Sequence, residues 1–593
     1  MSAKKWCFTL MLLVTLVVAS CKPATTPPPA VQPTKAPEAT KAPEPTKAPE
    51  ATKAPEPTKA PEPTKPPEPT ASPVPTQAKV ATFIWTQEFD TLNPSYTNMW
   101  FSSVTQQIWN CWAWDFDDIS APHAVMVKEI PSVANGGVSA DGKVITIKLR
   151  EDLVWSDGEP ITSEDFVFSY QMIIDPKNSV SSTHPYNLME KMEAPDKYTV
   201  VATFKEPFAS WLYALWHEIM PAHVLKPVFE KDGTINEADW NRNPTVGCGP
   251  FVLDKWESGS YARFKANDKY WLGRPKIDEI FFRFVPDDAS QIAALLNNEG
   301  DLGTFPSWSD IPRLRDAGIK IILVFSGYNE GMYFNLDPQR GHPALQDLRV
   351  RQAIAYATDR FSLNKDLLLG LTQPAATDYD NTPYVDPSLK PYPFDPEKAK
   401  GLLDEAGWSD SNGDGVREKD GKDLVLRYGT TTREIRQDTQ AVFQEQLAAV
   451  GIKVELSNYE FDLYFANYDQ NGPVKRGELD LIEFSNSPTT PPDPDSAEWL
   501  CEEIPTDEKP SGNNTDRVCD LELDQLWKTQ LTQMDFNERQ QTFYKITKMI
   551  YDKMYWLGIW QDPDQFMVGK RLLNVKISGT TPFYNVIDWD LTP

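Results

Sequence analysis

Leu149-Arg-Glu-Asp-Leu-Val-Trp-Ser-Asp-Gly-Glu-Pro-Ile-Thr-Ser-Glu-Asp-Phe-Val-Phe-Ser-Tyr170 carries a strand end, a turn and a helix start in twenty-two residues. From Val144 to Leu149, Ile145, Ile147 and Leu149 alternate with Thr146 and Lys148, the period of a half-buried strand, and Asp141-Gly142 before it is a hairpin turn signal. A second turn, Asp157-Gly158, follows Trp155. Thr162 then stands three residues before Asp165, as in a capping box, and Phe166, Tyr170 and Ile173 recur on one helical face. Further along, Val350, Ile354 and Ala357 mark another helix, and Asp395-Pro396 supplies an N-cap and a first-turn proline for a helix that Gly407 ends. Val442, Phe443 and Leu447 form an apolar helix face ending near Gly451, after which Ile452, Val454 and Leu456 alternate as a strand. Strands that keep giving way to helices predict an α/β fold of mixed sheets with helices packed on them.

The N-terminus has a different character. Lys4 and Lys5 precede an apolar run from Trp6 to Val18, too short to span a bilayer as a mature helix but suited to a signal-peptide core over residues 1–20. Val18-Ala19-Ser20-Cys21 resembles the lipobox of bacterial lipoproteins, which implies that Cys21 becomes a lipidated N-terminus; cleavage as a plain secretory signal is the competing reading. Residues 21–79 then form a stalk. Lys35 to Thr70 repeats Lys-Ala-Pro-Glu-(Ala/Pro)-Thr six times, with Pro66 replacing Ala in the last copy. Proline removes backbone donors and fixes φ, so the repeats favour polyproline II and would extend on the order of 110 Å at about 3.1 Å per residue.

The 514 residues from Val80 on suffice for more than one lobe. The net charge is −27; residues 1–79 contribute +4, leaving −31 on the rest, which disfavours nucleic acid as a partner. With Cys7 in the signal and Cys21 at the lipid site, Cys111, Cys248, Cys501 and Cys519 remain for an oxidising compartment. They allow three pairings; the short polar loop between Cys501 and Cys519 makes that pair the first candidate, against buried free thiols. The chain holds no Gly-x-Ser-x-Gly elbow, no His-Glu-x-x-His and no phosphate-cradling glycine loop, and its five histidines are scattered.

In the opening stretch and beyond, landmarks accumulate in a fixed order. They are Val246-Gly-Cys-Gly-Pro-Phe251, Asn267-Asp-Lys-Tyr-Trp271, Gly331-Met-Tyr-Phe-Asn335, Asp347-Leu-Arg-Val-Arg-Gln-Ala-Ile-Ala-Tyr-Ala-Thr-Asp-Arg360, Phe394-Asp-Pro-Glu-Lys-Ala-Lys-Gly-Leu-Leu-Asp-Glu-Ala-Gly-Trp408 and Glu538-Arg-Gln-Gln-Thr-Phe-Tyr544. The set resembles the family 5 extracellular solute-binding proteins of ABC importers, the oligopeptide and dipeptide receptors and their relatives. That resemblance implies a two-lobed periplasmic-binding-protein-like fold (type II, cluster C-like). Lobe one would comprise residues 80–323 and 561–593, with an extra subdomain over about 117–242, and lobe two residues 324–560. It implies no reaction, an ABC permease as partner, a monomer anchored at the outer face of the cell membrane, and a peptide bound between the lobes.

Site expectations follow. Trp85, Thr86, Gln87 and Glu88 after the first strand, Trp109, and Phe484, Ser485 and Asn486 in the cleft segment Leu479–Pro494 are the candidate ligand residues. In peptide-binding members an aspartate three positions before the Asp-Pro aspartate pairs with the peptide α-ammonium; counted back from Asp493, that position is Thr490, with Asp493 or Asp495 as possible substitutes. Trp85, Trp100, Trp109, Trp112 and Trp114 crowd one region, which suggests an oligosaccharide as the alternative ligand, since flat faces stack on sugars, with core packing as the competing use. Tryptophans and paired carboxylates also describe a surface glycosidase, the alternative of another class. No cofactor is expected. Asp410, Asn412 and Asp414 resemble the opening of an EF-hand calcium loop, but the twelfth position is Gly421 instead of Glu, and a polar turn is the competing reading.

Overall fold

The computed structural model describes residues 78–97, 99–486 and 498–592. Cys21, the stalk, Thr490, Asp493 and Asp495 lie outside the described residues.

Two large sheets form the frame. The first runs in the order Lys320–Val324, Asp564–Val568, Leu302–Thr304, Val80–Trp85, Glu279–Phe284, Tyr261–Ala266, Phe251–Glu257. Val80–Trp85 is parallel to both of its neighbours, and the other pairings are antiparallel. The second runs Lys453–Tyr459, Val425–Thr431, Leu481–Asn486, Asn329–Phe334, Trp556–Gln561. The chain leaves the first sheet at Val324, enters the second at Asn329, and returns between Gln561 and Asp564. The second sheet is therefore built by one continuous insertion, joined to the first by two short crossings. The crossings are tied together: Ser326 Oγ donates to Asp564 Oδ2 at 2.9 Å, and the Asp562 amide to the Tyr328 carbonyl at 3.0 Å.

Leu149–Tyr170 leads from a third, three-stranded antiparallel sheet, Val144–Lys148, Thr199–Phe204 and Met189–Asp196, into a helix. Ile145, Ile147 and Leu149 are buried, as the alternation predicts, and helix Ser163–Ile174 packs on this sheet. Its N-terminus is closed by the Thr162/Asp165 capping box, in which Asp165 Oδ2 accepts from the Thr162 amide at 2.8 Å. Asp165 Oδ1 also accepts from the Ala222 amide at 3.0 Å, which ties this sheet's helix to the segment that begins the helix Ala222–Asp232.

In lobe two, strand alternation divides two cores. Met332 and Phe334 face Val350, Ile354, Phe443 and Leu447. Tyr333 faces the opposite way, among Ile482, Trp499, Phe543 and Trp556. Gly331 is glycine for a steric reason: a Cβ there would lie 2.0–2.2 Å from the Trp556 ring. The helices end where their caps predict, with Asp395 accepting from the Lys398 amide at 3.0 Å and Gly407 at φ +82°. Cys111 is bonded to Cys248 and Cys501 to Cys519, with Cα separations of 5.4 and 4.7 Å. Each closes a loop whose freedom the unfolded chain then lacks, typically worth about 2–4 kcal/mol.

Candidate functional site

The lobes face each other across one end of the second sheet. Register brings Asn329 opposite both Asn486 and Gln561, and Glu330 opposite Ser485 and Trp560, while Thr430 and Thr431 end the neighbouring strand. Lobe one touches this end and its flanks: Ser307 Oγ donates to Glu434 Oε2 at 3.3 Å, the Ala209 amide to the Leu531 carbonyl at 3.0 Å, and Arg539 Nη2 to Ser210 Oγ at 3.0 Å.

A buried ion network occupies one face of that sheet end. Arg436 Nε and Nη2 donate to Glu330 Oε1 and Oε2 at 2.8 and 2.9 Å, a bidentate pair, and Nη1 donates to Thr431 Oγ1 at 2.9 Å. Arg433 donates to Asp562 Oδ2 at 2.9 Å and lies 3.9 Å from Glu330. Burial pushes Glu330 up and Arg436 pulls it back; the bidentate geometry decides for an ion pair. Burial alone would also raise Asp562, but Arg433 and then Arg436 outweigh it and hold its carboxyl below the usual range. Glu483 is the third buried acid here. Burial and then the charge of Glu330 raise it well above a normal carboxyl, and Tyr428 donates its hydroxyl to Oε2. Arg433 keeps a third of its side chain exposed, at 34%, and so offers a guanidinium to whatever enters between the lobes.

The predicted residues fall into two groups. Trp85 and Trp109 are completely buried: Trp85 packs edge-on against Phe101 at 5.6 Å, and Trp109 against Trp240 at 5.6 Å. The Trp109 carbonyl is also crowded by Gly247, where a Cβ would come within 2.4 Å. Neither indole can meet a ligand without unpacking lobe one. Trp112 and Trp114 are buried as well, and Trp100 is half-buried beside Phe305 at 4.8 Å. Of the loop after the first strand, Thr86 is half-buried and Gln87 exposed, while Glu88 accepts from Trp256 Nε1 and the Gly259 amide, both at 2.7 Å, and so anchors that loop to a neighbouring hairpin. Phe484 and Ser485 do lie at the sheet end, with Phe484 stacked on Tyr333 at 4.6 Å and Ser485 Oγ buried without a hydrogen-bond partner among the described residues. Asn486 pairs through its backbone with Asn329. The two groups do not form one cluster.

Asp410, Asn412 and Asp414 form a turn that uses its own oxygens. Asp410 accepts from the Gly413 and Gly415 amides at 2.7 and 3.0 Å, Asn412 from the Asp414 amide, and Asp414 from the Val416 amide. Among the described residues no group of three His, Cys, Asp or Glu could hold a metal ion.

Sequence reading missed Glu330, Arg433, Arg436 and Asp562. A signal was present: Arg433 and Arg436 stand at the N-terminus of helix Glu434–Ala448, where the helix dipole repels cations. A sequence breaks that preference when buried carboxylates face the helix end.

A family model for bacterial extracellular solute-binding proteins, family 5 Middle, matches residues 128–504. Among curated relatives, the oligopeptide-binding protein AppA of Bacillus subtilis is 26% identical over 486 residues, covering 79% of this chain and 82% of AppA. Di/tripeptide-binding protein 2 of Pseudomonas aeruginosa is 26% identical over 455 residues, covering 72% and 80%. Among solved structures, AppA from Bacillus subtilis in complex with a nonapeptide superposes with a TM-score of 0.69 at 23% identity, covering 87% of this chain and 100% of that one. NikA from Brucella suis in complex with Fe(III)-EDTA gives 0.73 at 23%, covering 86% and 100%. The structural likenesses share the two-lobed α/β fold found here. With the family model spanning more than half of the chain, this protein belongs to the family 5 bacterial extracellular solute-binding proteins.

Proposed function

We propose that the protein captures a peptide between its lobes and delivers it to the permease of an ABC importer, performing no reaction itself. The observation that carries this reading is the sheet end between the lobes. There Arg433, bonded to Asp562 and 3.9 Å from Glu330, keeps a partly exposed guanidinium, and the Ser485 hydroxyl has no hydrogen-bond partner among the described residues. Such a site suits a ligand with carboxylate and amide groups. The curated relatives, which carry peptide-binding names, support the class. Lobe one is taken as residues 80–323 with 561–593, including the subdomain 117–242, and lobe two as 324–560. Binding favours closure only as far as the ligand prefers the closed state, and the permease would distinguish the two.

The oligosaccharide alternative rested on the tryptophan crowd, most of which is spent on packing lobe one. In our reading, Cys21 carries the lipid and residues 21–79 tether a monomeric receptor outside the membrane. Among the described residues no helix is long and apolar enough to cross one. Native mass spectrometry of the purified chain, followed by thermal-shift screening with peptide and sugar pools, tests the ligand class. Peptides should raise the melting temperature, since a ligand at a hundred times its Kd adds about 2.7 kcal/mol. A shift with oligosaccharides alone would overturn the peptide reading, and hydrolysis of chromogenic glycosides would overturn the transport reading. Cys21→Ser should release the protein from the membrane fraction.

A further inference from the structure

Two helices of the insertion, Leu521–Gln530 and Phe536–Asp552, are joined by a short loop, 531–535, that reaches across to the third sheet. The facing segments flank that sheet's strands. The turn Asp141-Gly142 precedes Val144–Lys148, and Ala209 and Ser210 follow the middle strand, Thr199–Phe204. Three contacts join the two sides. The Ala209 amide donates to the Leu531 carbonyl at 3.0 Å, and Arg539 Nη2 donates to Ser210 Oγ at 3.0 Å. Met534 packs on the lobe-one core, so close to Gly142 that a Cβ there would come within 2.4 Å of its Cγ. Arg539 is buried and fixed on its own side, where Nε donates to Gln530 Oε1 and Nη1 to the Tyr384 hydroxyl, both at 3.0 Å. Its reach to Ser210 therefore needs little further ordering.

This contact can open without unfolding either side. Among the described residues no strand pairing joins the insertion to lobe one there, and no disulfide does: Cys111 pairs with Cys248 in lobe one, and Cys501 with Cys519 in the insertion. The covalent links are the two crossings, after Val324 and after Gln561. One backbone hydrogen bond, one guanidinium–hydroxyl bond and one methionine side chain are the kind of contact that a hinge motion makes and breaks. The other flank of the sheet end also touches, through Ser307 and Glu434, with Trp308 and Ile311 packed among lobe-two core residues. Those residues lie just ahead of strand Lys320–Val324, which runs into the first crossing. Loop 531–535 has no such chain neighbour in a crossing; it is placed by the packing of the two helices and of the third sheet.

We propose that loop 531–535 and Arg539 are a latch that holds the lobes closed by gripping the third sheet, in the empty as in the loaded protein, and so sets how fast ligand enters and leaves. A closed empty receptor admits nothing until it opens, and a closed loaded one releases nothing until it opens. Loosening the latch therefore quickens both steps, while Kd moves less than either rate. A side chain that only touches ligand changes dissociation without association, and one that only supports the fold changes melting alone.

Hydrogen exchange and stopped-flow binding on the full chain test this with Met534→Ala, which truncates a half-buried side chain, and with Ser210→Ala. In the ligand-free protein the Ala209 amide should exchange at least fivefold faster in Met534→Ala, while the amides of strand Thr199–Phe204 keep their wild-type rates. The kinetic arm rests on the peptide reading; its probe is the tripeptide that raises the melting temperature most in a thermal-shift screen. Association and dissociation should both quicken at least threefold, with Kd changed less than twofold. If the strand amides also exchange faster in Met534→Ala, that variant is loosened throughout, and Ser210→Ala decides by the same readouts. Unchanged Ala209 exchange in both variants would overturn the latch. So would faster exchange with unchanged binding rates, or faster dissociation with unchanged association, which would place Met534 against the ligand. If no peptide binds, the peptide reading falls and Ala209 exchange alone decides the latch.

Discussion

Glu330 and Asp378 are both acids buried at the same end of one sheet, yet among the described residues only Glu330 has a cation for a partner. On the Met332 face, Glu330 receives two N–H groups from Arg436, and Arg433 bridges from there to Asp562 at the crossing between lobes. Asp378 instead has burial and the charge of a second acid, Glu498, acting on it. The difference teaches how to separate structure from function among buried charges. A charge paired within the chain is part of the fold, and removing its partner strands it. A charge left unpaired works against the fold, so removing it should help stability while harming whatever it was kept for.

The comparison can be broken most directly through Arg436. Arg436→Ala should cost about 3–5 kcal/mol by leaving Glu330 buried without its cation. Replacing both Arg436 and Glu330 by methionine should recover most of it. Urea unfolding midpoints decide; a single variant no worse than a surface substitution would mean that the pair is not an ion pair.

Trp109→Ala should be about as destabilising, roughly 3–5 kcal/mol, because it empties a packed site in lobe one. Peptide Kd measured well below the melting temperature should not move. A tenfold weaker Kd would return Trp109 to the ligand site and undo the contrast between an aromatic core in lobe one and a charged cleft edge in lobe two.

A third acid sharpens the rule by pH. Burial raises Asp564 to about 7, against the Ser326 hydroxyl that lowers it. A folded value above the unfolded one has no effect below about pH 4, where both states are protonated. Between there and about pH 7 the unfolded chain ionises first, so stability is lost, at most about 4 kcal/mol at roughly 1.36 kcal/mol per pH unit. Asp564→Asn should therefore match the wild type near pH 4 and be more stable above pH 7. A constant difference across that range would show that Asp564 is ionised in the folded protein.

The smallest shift is expected at Asp378. In the unliganded protein at neutral pH Asp378→Asn should gain about 1–3 kcal/mol, because burial and the charge of Glu498 raise the Asp378 carboxyl and its ionisation therefore favours the unfolded chain. A loss of that size in thermal denaturation would mean that Asp378 has a structural partner, and would remove the contrast with Glu330.

Much of the architecture was legible in local pattern. The alternation over Val144–Leu149, the Thr162/Asp165 cap and the Asp395 cap are settled within a few residues, and the structure has a strand and two helices there. The ordered landmarks pointed to the family because most of them are packing rules: Gly331 admits Trp556, and Gly247 lies against Trp109. The cleft was harder to read. An indole looks the same in sequence whether it lines a cleft or fills a core, so Trp85 and Trp109 carried no mark of burial. Phe484 and Ser485 were candidates through the resemblance of the Leu479–Pro494 segment to the family, and they stand near the end of strand Leu481–Asn486.

The sequence by itself determined the α/β class, the helix caps, the turns and the leader-like and repetitive character of residues 1–79, since each depends on neighbours along the chain. Tertiary structure alone decided which acids have partners. Glu330 and Arg436 are 106 positions apart, and Asp378 and Glu498 are 120 apart. Charges interact through space over a few ångströms, and only the folded sheet end sets those distances.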